Sequence, residues 1–148
     1  MKKNRKINKL TDEKQTKYET QAMSQWGEDR VRQSTNLWNS YGEKKKEQIM
    51  DECNSIFQEL ADNMQYGAES QVIKELLIKW HQFLQYFYEP SLEVLRGLGE
   101  IYSNDPEFRK VFEAIDPNLP DFLQNSISCY VDELEMRWLE SQYEILQE

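Results

Sequence analysis

Few side chains in this chain of 148 residues are equipped for bond-making chemistry, and those few are scattered. His81 is the only histidine, one helical turn from Leu77 and from Leu84, where an imidazole beside an apolar face serves as a structural residue. A single helix histidine in an all-α domain can in principle ligate haem, but nothing else in the chain supports that use. Cys53 and Cys129 have neither zinc-binding nor redox spacing, and Cys53 falls on an apolar helical stripe, where a thiol acts as a small hydrophobe. The adjacent acids Asp51 and Glu52, and Asp132 and Glu133, point in different directions on a helix and read as a solvated face. There is no H-E-x-x-H, no Glu-x-x-His repeat, no Gly-rich phosphate loop and no G-x-S-x-G elbow, so an enzyme is not expected, and neither a metal nor a cofactor. What the chain has instead is rings. The stretch from Trp80 to Tyr130 combines Trp, Phe and Tyr with two helix-interior glycines and two Asp-Pro steps, and such rings line pockets for bulky apolar ligands as readily as they fill cores.

The elements that must carry these rings are helices, because nearly every segment repeats its apolar residues at three- and four-residue steps and none alternates like a strand. Thr11, followed by Asp12 and Glu13, opens a helix that stops at Gly27. Residues 28–39 are weakly amphipathic, either a short helix or a mobile segment. Ser40 and Glu43 make an S-x-x-E capping box for a helix carrying Ile49, Cys53, Ile56, Phe57, Leu60 and Met64, ended by Gly67. A second long helix covers 69–88 and is terminated by Pro90. Ser91 caps the next, to Tyr102. Asp105-Pro106 and Asp116-Pro117 each place an N-cap before a proline, marking two short helices, and a final helix runs from about Pro120 towards Leu146 with Trp138 turned inward. Gly97 and Gly99 lie inside the 91–102 helix, where each costs about 1 kcal/mol relative to Ala. Either tight helix packing or a flat wall for a ligand offsets that cost.

The whole is read as residues 1–10, a basic and frayed leader, followed by one helical domain over 11–148. The net charge is −9, yet Lys2, Lys3, Arg5, Lys6 and Lys9 make the leader basic, so the rest is more acidic still. An acidic body repels a phosphate backbone, which argues against direct nucleic-acid binding. Apolar runs fall far short of the ~20 residues needed to span a bilayer, so no membrane partner is expected. Unpaired thiols and the lack of an apolar leader point to the cytoplasm.

At the glycine-bearing helix the sequence resembles the TipAS-type antibiotic-recognition domain, the effector half of certain MerR-type transcription activators. Leu98-Gly99-Glu100-Ile101-Tyr102 matches that family's L-G-E-M-Y core apart from Ile101. Asp105-Pro106-Glu107-Phe108 resembles its D-x-R-F step, with Glu107 in place of the arginine. Ile115 to Ile127 follows its I-x-P-x-L-x-x-F-L-x-x-A-I rhythm, with Ser126 at the alanine. Upstream, Gln25-Trp26-Gly27 with Ser34, and Phe87-Tyr88 with Glu93, resemble its R-W-G with a later serine and its F-Y with a following glutamate. The resemblance spans about residues 17 to 131.

It implies a globin-like all-α domain of about six to eight helices, with a cleft for a small-molecule or peptide antibiotic of the thiopeptide or albicidin type. In the thiopeptide-binding prototype a cysteine precedes the Leu-Gly pair and adds to a dehydroalanine of the drug; here Gly97 stands there, and non-covalent recognition is expected. No winged helix-turn-helix precedes the domain, which implies a free-standing binder or an excised effector domain. The cleft is assigned to Trp80, Tyr88, Leu95, Leu98, Tyr102 and Phe108, with Gly97 and Gly99 as flat wall and Trp38 and Tyr41 closing from above. Residues 11–41 are read as a lid ordered by ligand, since fixing each residue costs on the order of 1.5 kcal/mol and ring burial against a large ligand offsets it. Two other uses of the same groove stay open: a partner protein's amphipathic helix, and haem.

Overall fold

The computed structural model describes residues 28–147, and these form six α-helices and one short 3-10 turn, without a strand among the described residues. The expected helix from Thr11 to Gly27, and with it most of the proposed lid, lies outside the described residues. Helix α1 spans Glu28–Ser40, α2 Glu43–Asp62, α3 Gln71–Leu84, α4 Leu92–Asn104, α5 Pro106–Glu113 and α6 Leu119–Gln147, with the 3-10 turn at Met64–Tyr66. Residues 28–39 thus belong to a regular helix. The described residues divide into two compact units, one of 28–59 with 78–90, the other of 60–77 with 91–147.

Local chemistry accounts for most boundaries. Ser91 accepts from the Val94 amide at 3.2 Å and starts α4. The Asp105 carboxylate accepts from the amides of Glu107 and Phe108 at 3.0 and 3.2 Å, and Pro106 occupies a first-turn position of α5 where no amide is needed. Gly67, at φ 98°, takes the left-handed backbone that ends the 3-10 turn, a conformation other residues rarely adopt. Ser70 then caps α3, accepting from the Ile73 amide at 3.4 Å.

Four expectations are corrected. Ser40 does not cap the second long helix: it is the last residue of α1, and its hydroxyl donates back to the Leu37 carbonyl at 2.5 Å. Helix α2 starts instead at Glu43, behind Gly42, whose carbonyl accepts from the Lys46 amide at 2.9 Å. Helix α3 stops at Leu84, well before Pro90, because Gln82, Phe83 and Leu84 accept bonds from residues three positions on and tighten the chain into a turn. Asp116-Pro117 opens a turn and not a helix: its carboxylate accepts from Asn118 at 2.8 Å and its carbonyl from Leu119 at 3.0 Å, and α6 follows directly. Trp138 is not inward. It is 57% exposed, since α6 runs on past the part of the second unit that it packs against.

Within the first unit Val31, Ile49, Met50, Ile56, Phe57, Trp80, Phe83 and Leu84 are buried. In the second, α4 packs along α6, with α5 against both. Leu95, Leu98 and Tyr102 of α4 and Leu119, Leu123, Ile127, Tyr130 and Val131 of α6 form the buried stripes. Gly99 lets the two helices close: a methyl added there would stand 3.2 Å from the Cβ and the Cγ2 of Ile127. Its cost as a helix glycine is therefore offset by packing, the first of the two expected gains. Arg96 ties the same pair of helices from the surface, reaching Asp132 at 2.9 Å and Glu135 at 3.1 Å, and Lys74 meets Glu133 at 2.9 Å.

Candidate functional site

In the first unit, the end of α1 and the end of α3 each turn sharply, and both turns are made of rings. Trp38 sits in the last turn of α1, and Tyr41 follows in the link to α2, its amide donating to the Trp38 carbonyl at 3.2 Å. After Leu84 the tightened chain sets Phe83, Tyr86 and Phe87 in one group. Trp38 stacks on Phe87 at 5.5 Å, and Tyr41 meets both Trp38 and Tyr86 edge-on, at 6.4 and 6.3 Å. Phe83 lies 5.8 Å from Tyr86 and 5.6 Å from Phe87. The Tyr41 hydroxyl donates to the Tyr86 carbonyl at 2.7 Å, which binds the two turns together. Phe83 is buried, whereas Trp38, Tyr41, Tyr86 and Phe87 are only half-buried. Burying part of each ring against the others and leaving part in water keeps apolar area available for a ligand.

Cations cover two of these faces: the Lys46 ammonium lies 5.3 Å from the Trp38 ring centre and the Lys45 ammonium 5.0 Å from that of Tyr86. The Tyr86 hydroxyl donates to Glu52 at 3.2 Å. Burial raises the pKa of that phenol, and the neighbouring carboxylate adds to the rise, so it stays a neutral donor. Tyr86 also borders a recess of about 450 Å³ lined by Glu52, Ser55, Ile56, Glu59, Lys79 and Gln82. That volume suits a small-molecule group, and its walls offer hydrogen-bonding atoms next to the rings.

The expected site residues separate by unit. Trp38, Tyr41, Trp80 and Tyr88 belong to the first, and Leu95, Gly97, Leu98, Tyr102 and Phe108 to the second. Trp38 and Tyr41 come together as described. Trp80 is 1% exposed and lies inside the core, and Tyr88 is half-buried beyond the α3 turn. In the second unit Tyr102 meets Phe108 at 5.9 Å and Phe112 at 5.1 Å. Phe108 and Gly97 are half-buried, while Leu95 and Leu98 are core residues. Sequence reasoning missed Tyr86, Phe83 and Phe87 as a ring platform with Trp38; the signal available for it was the Tyr86-Phe87-Tyr88 run just before Pro90.

Behind Tyr102, the Arg109 guanidinium bonds the Asp121 carboxylate at 2.8 and 3.2 Å, the Ser103 carbonyl at 2.9 Å and Glu113 at 3.2 Å. The Ser103 hydroxyl donates to Asp121 at 2.7 Å. This network positions α5 on the α4–α6 pair.

The groups suited to reactive chemistry are subdued. Burial pushes the Cys53 thiol up to about 12, with Glu52 adding to the shift, and burial raises Cys129 as well, helped by Glu69 and Asp132. His81 is half-buried and its pKa is lowered by burial, against the pull of Glu89. Among the described residues no three His, Cys, Asp or Glu side chains gather to hold a metal ion, and no helix is long and apolar enough to cross a membrane.

The chain matches the family described as the TipAS antibiotic-recognition domain over residues 18–130. It is 26% identical over 125 residues to the HTH-type transcriptional activator mta of Bacillus subtilis, covering 84% of this chain and 49% of that protein. To the HTH-type transcriptional regulator SkgA of Caulobacter vibrioides it is 24% identical over 125 residues, covering 80% of this chain and 49% of that protein. The chain therefore spans about half the length of the curated relatives it matches. No solved structure matches it.

Proposed function

Since the chain belongs to the TipAS antibiotic-recognition domain family, we propose that it is a drug-sensing effector module which binds bulky, ring-rich, largely apolar compounds without forming a bond to them. The half-exposed platform of Trp38, Tyr41, Tyr86 and Phe87 beside the polar recess carries this reading. Rings packed against one another, Trp38 stacked on Phe87 and Tyr41 edge-on to Trp38 and Tyr86, are preorganised, so little side-chain entropy is lost on binding. Thiopeptides and albicidin-type compounds are the classes proposed, because both join aromatic rings with amide donors and acceptors that the recess can satisfy.

In this reading Trp38 and Tyr41 touch the ligand directly. Tyr88 is proposed as a further contact, and Trp80 as part of the buried layer that holds the contacting residues in place. The relatives are named transcription regulators, which supports a role in sensing a drug for a transcriptional response, or in sequestering it.

Thermal-shift titration with a thiopeptide and with albicidin tests the proposal. At a hundredfold excess over the dissociation constant, stabilisation of about 2.7 kcal/mol is expected. Trp38→Ala should weaken binding roughly tenfold to thirtyfold, the effect of removing an aromatic anchor. An unchanged melting temperature with both compounds at saturating solubility would falsify it.

A further inference from the structure

Two ammonium groups stand over the ring platform, and helix stability does not explain their place. Lys45 and Lys46 lie in the first turn of α2, where the helix dipole favours acids over cations. Lys45 sits 5.0 Å from the Tyr86 ring centre and Lys46 5.3 Å from that of Trp38. The chain has 27 acidic side chains against 18 lysines and arginines, so a carboxylate partner for either would be easy to supply. Among the described residues none takes that part, and Glu43 and Glu47 flank the lysine run in sequence without pairing with it. We propose that the compound bound on this platform carries a carboxylate beside one of its aromatic rings, and that Lys45 and Lys46 select it. The inference rests on the platform of Trp38, Tyr41, Tyr86 and Phe87 being the drug site.

Selection follows from an exchange of contacts. A ring laid on Trp38 or Tyr86 must push aside the ammonium that covers it, and the cation–π contact is lost. A neutral compound gives nothing in return. A carboxylate at the edge of the ring receives the displaced ammonium in a charge-assisted hydrogen bond, the stronger of the two contacts. Lysine suits this use, since its flexible stem lets the ammonium swing from a ring face to a ring edge while the helix stays still.

Charge along α2 fixes which end of the compound lies here. Lys45, Glu52 and Glu59 recur every seven residues and therefore share one face of the helix. Glu52 already accepts from the Tyr86 hydroxyl at 3.2 Å, and Lys79 stands with Glu59 in the wall of the recess. The recess thus contains its own counter-charge, whereas the positive charge at the platform is unanswered. The acid end of the compound belongs at Lys45 and Lys46, and its amide N–H groups belong towards Glu52 and Glu59.

Isothermal titration calorimetry of the full chain with p-benzamidobenzoate and with its uncharged carboxamide tests the inference. The two probes share rings and amide and differ by one charge. The acid is expected to bind roughly tenfold tighter, as two exposed ion pairs allow. Raising NaCl from about 0.05 to 0.5 M should remove most of that preference and spare the carboxamide. Lys45→Met with Lys46→Met should equalise the probes, Lys45→Arg with Lys46→Arg should keep the preference, and Lys45→Glu with Lys46→Glu should reverse it, all with unchanged far-UV circular dichroism. Equal wild-type affinities for the two probes, both lost in Trp38→Ala, overturn the inference and leave the platform standing as the drug site. A preference for the acid that survives Lys45→Met with Lys46→Met also overturns it, as does no binding of either probe up to about 5 mM. Binding of both probes untouched by Trp38→Ala overturns the platform reading and this inference with it.

Discussion

Asp121 is held ionised by two donors, and that makes it the residue whose titration should be visible in stability. Hydrogen bonds from Arg109 and Ser103 lower its pKa from 3.8 to about 2. The folded value lies below the unfolded one, so the ion contributes stability above about pH 4 and loses that contribution as the pH falls through 2. Its side chain is 70% exposed, and solvent screening keeps the effect below about 1 kcal/mol. Urea unfolding between pH 2 and 5 should show the wild type losing stability over that window and Asp121→Asn losing less. Equal slopes for the two proteins would show that the network stores no such energy. Neither Arg109 nor Asp121 announced this role in the sequence, because a network closed across two helices leaves no short-range spacing to read. The Asp105 cap was legible for the opposite reason: donors and acceptor all lie within three residues.

At the scale of elements, the packing of α4 on α6 depends on a missing side chain. Gly99→Ala gains about 1 kcal/mol of helix propensity but forces a methyl to 3.2 Å from a buried, β-branched Ile127, and overpacking of this kind costs about 1–3 kcal/mol. A net loss on the order of 1 kcal/mol is expected. In an Ile127→Ala background the same change should be better tolerated, with a coupling of at least about 0.5 kcal/mol in a double-mutant denaturation cycle. Strict additivity would mean that the two helices do not press on each other there. The periodicity of α6 shows the limit of reading elements from sequence. It identified the apolar face as far as Val131, yet Trp138 continues that face beyond the described residues that α6 packs against, because periodicity names a face and not its occupant. Ser40 shows another limit, since one residue carried signals both for ending α1 and for starting α2, and the nearer carbonyl won. The ring platform needed more than spacing too: the bonds that tighten the chain after Leu84 take Tyr86 and Phe87 off any helical face that a pattern could extend.

On the scale of the whole molecule, the all-helical architecture followed from periodicity, and family membership agrees with the glycine-bearing motif that pointed to it. The chain carries two cysteines, and both are held as neutral thiols, Cys53 with a pKa pushed up to about 12. At neutral pH a thiol held this far above its ordinary range is almost wholly protonated and attacks an electrophilic drug poorly. Intact mass spectrometry after long incubation with a dehydroalanine-bearing thiopeptide should accordingly return the unmodified mass, and an adduct would contradict it. Under the proposed non-covalent recognition, occupancy rises and falls with the surrounding dose. Such a receptor keeps no memory of an earlier exposure, and it is ready for the next one as soon as the medium clears.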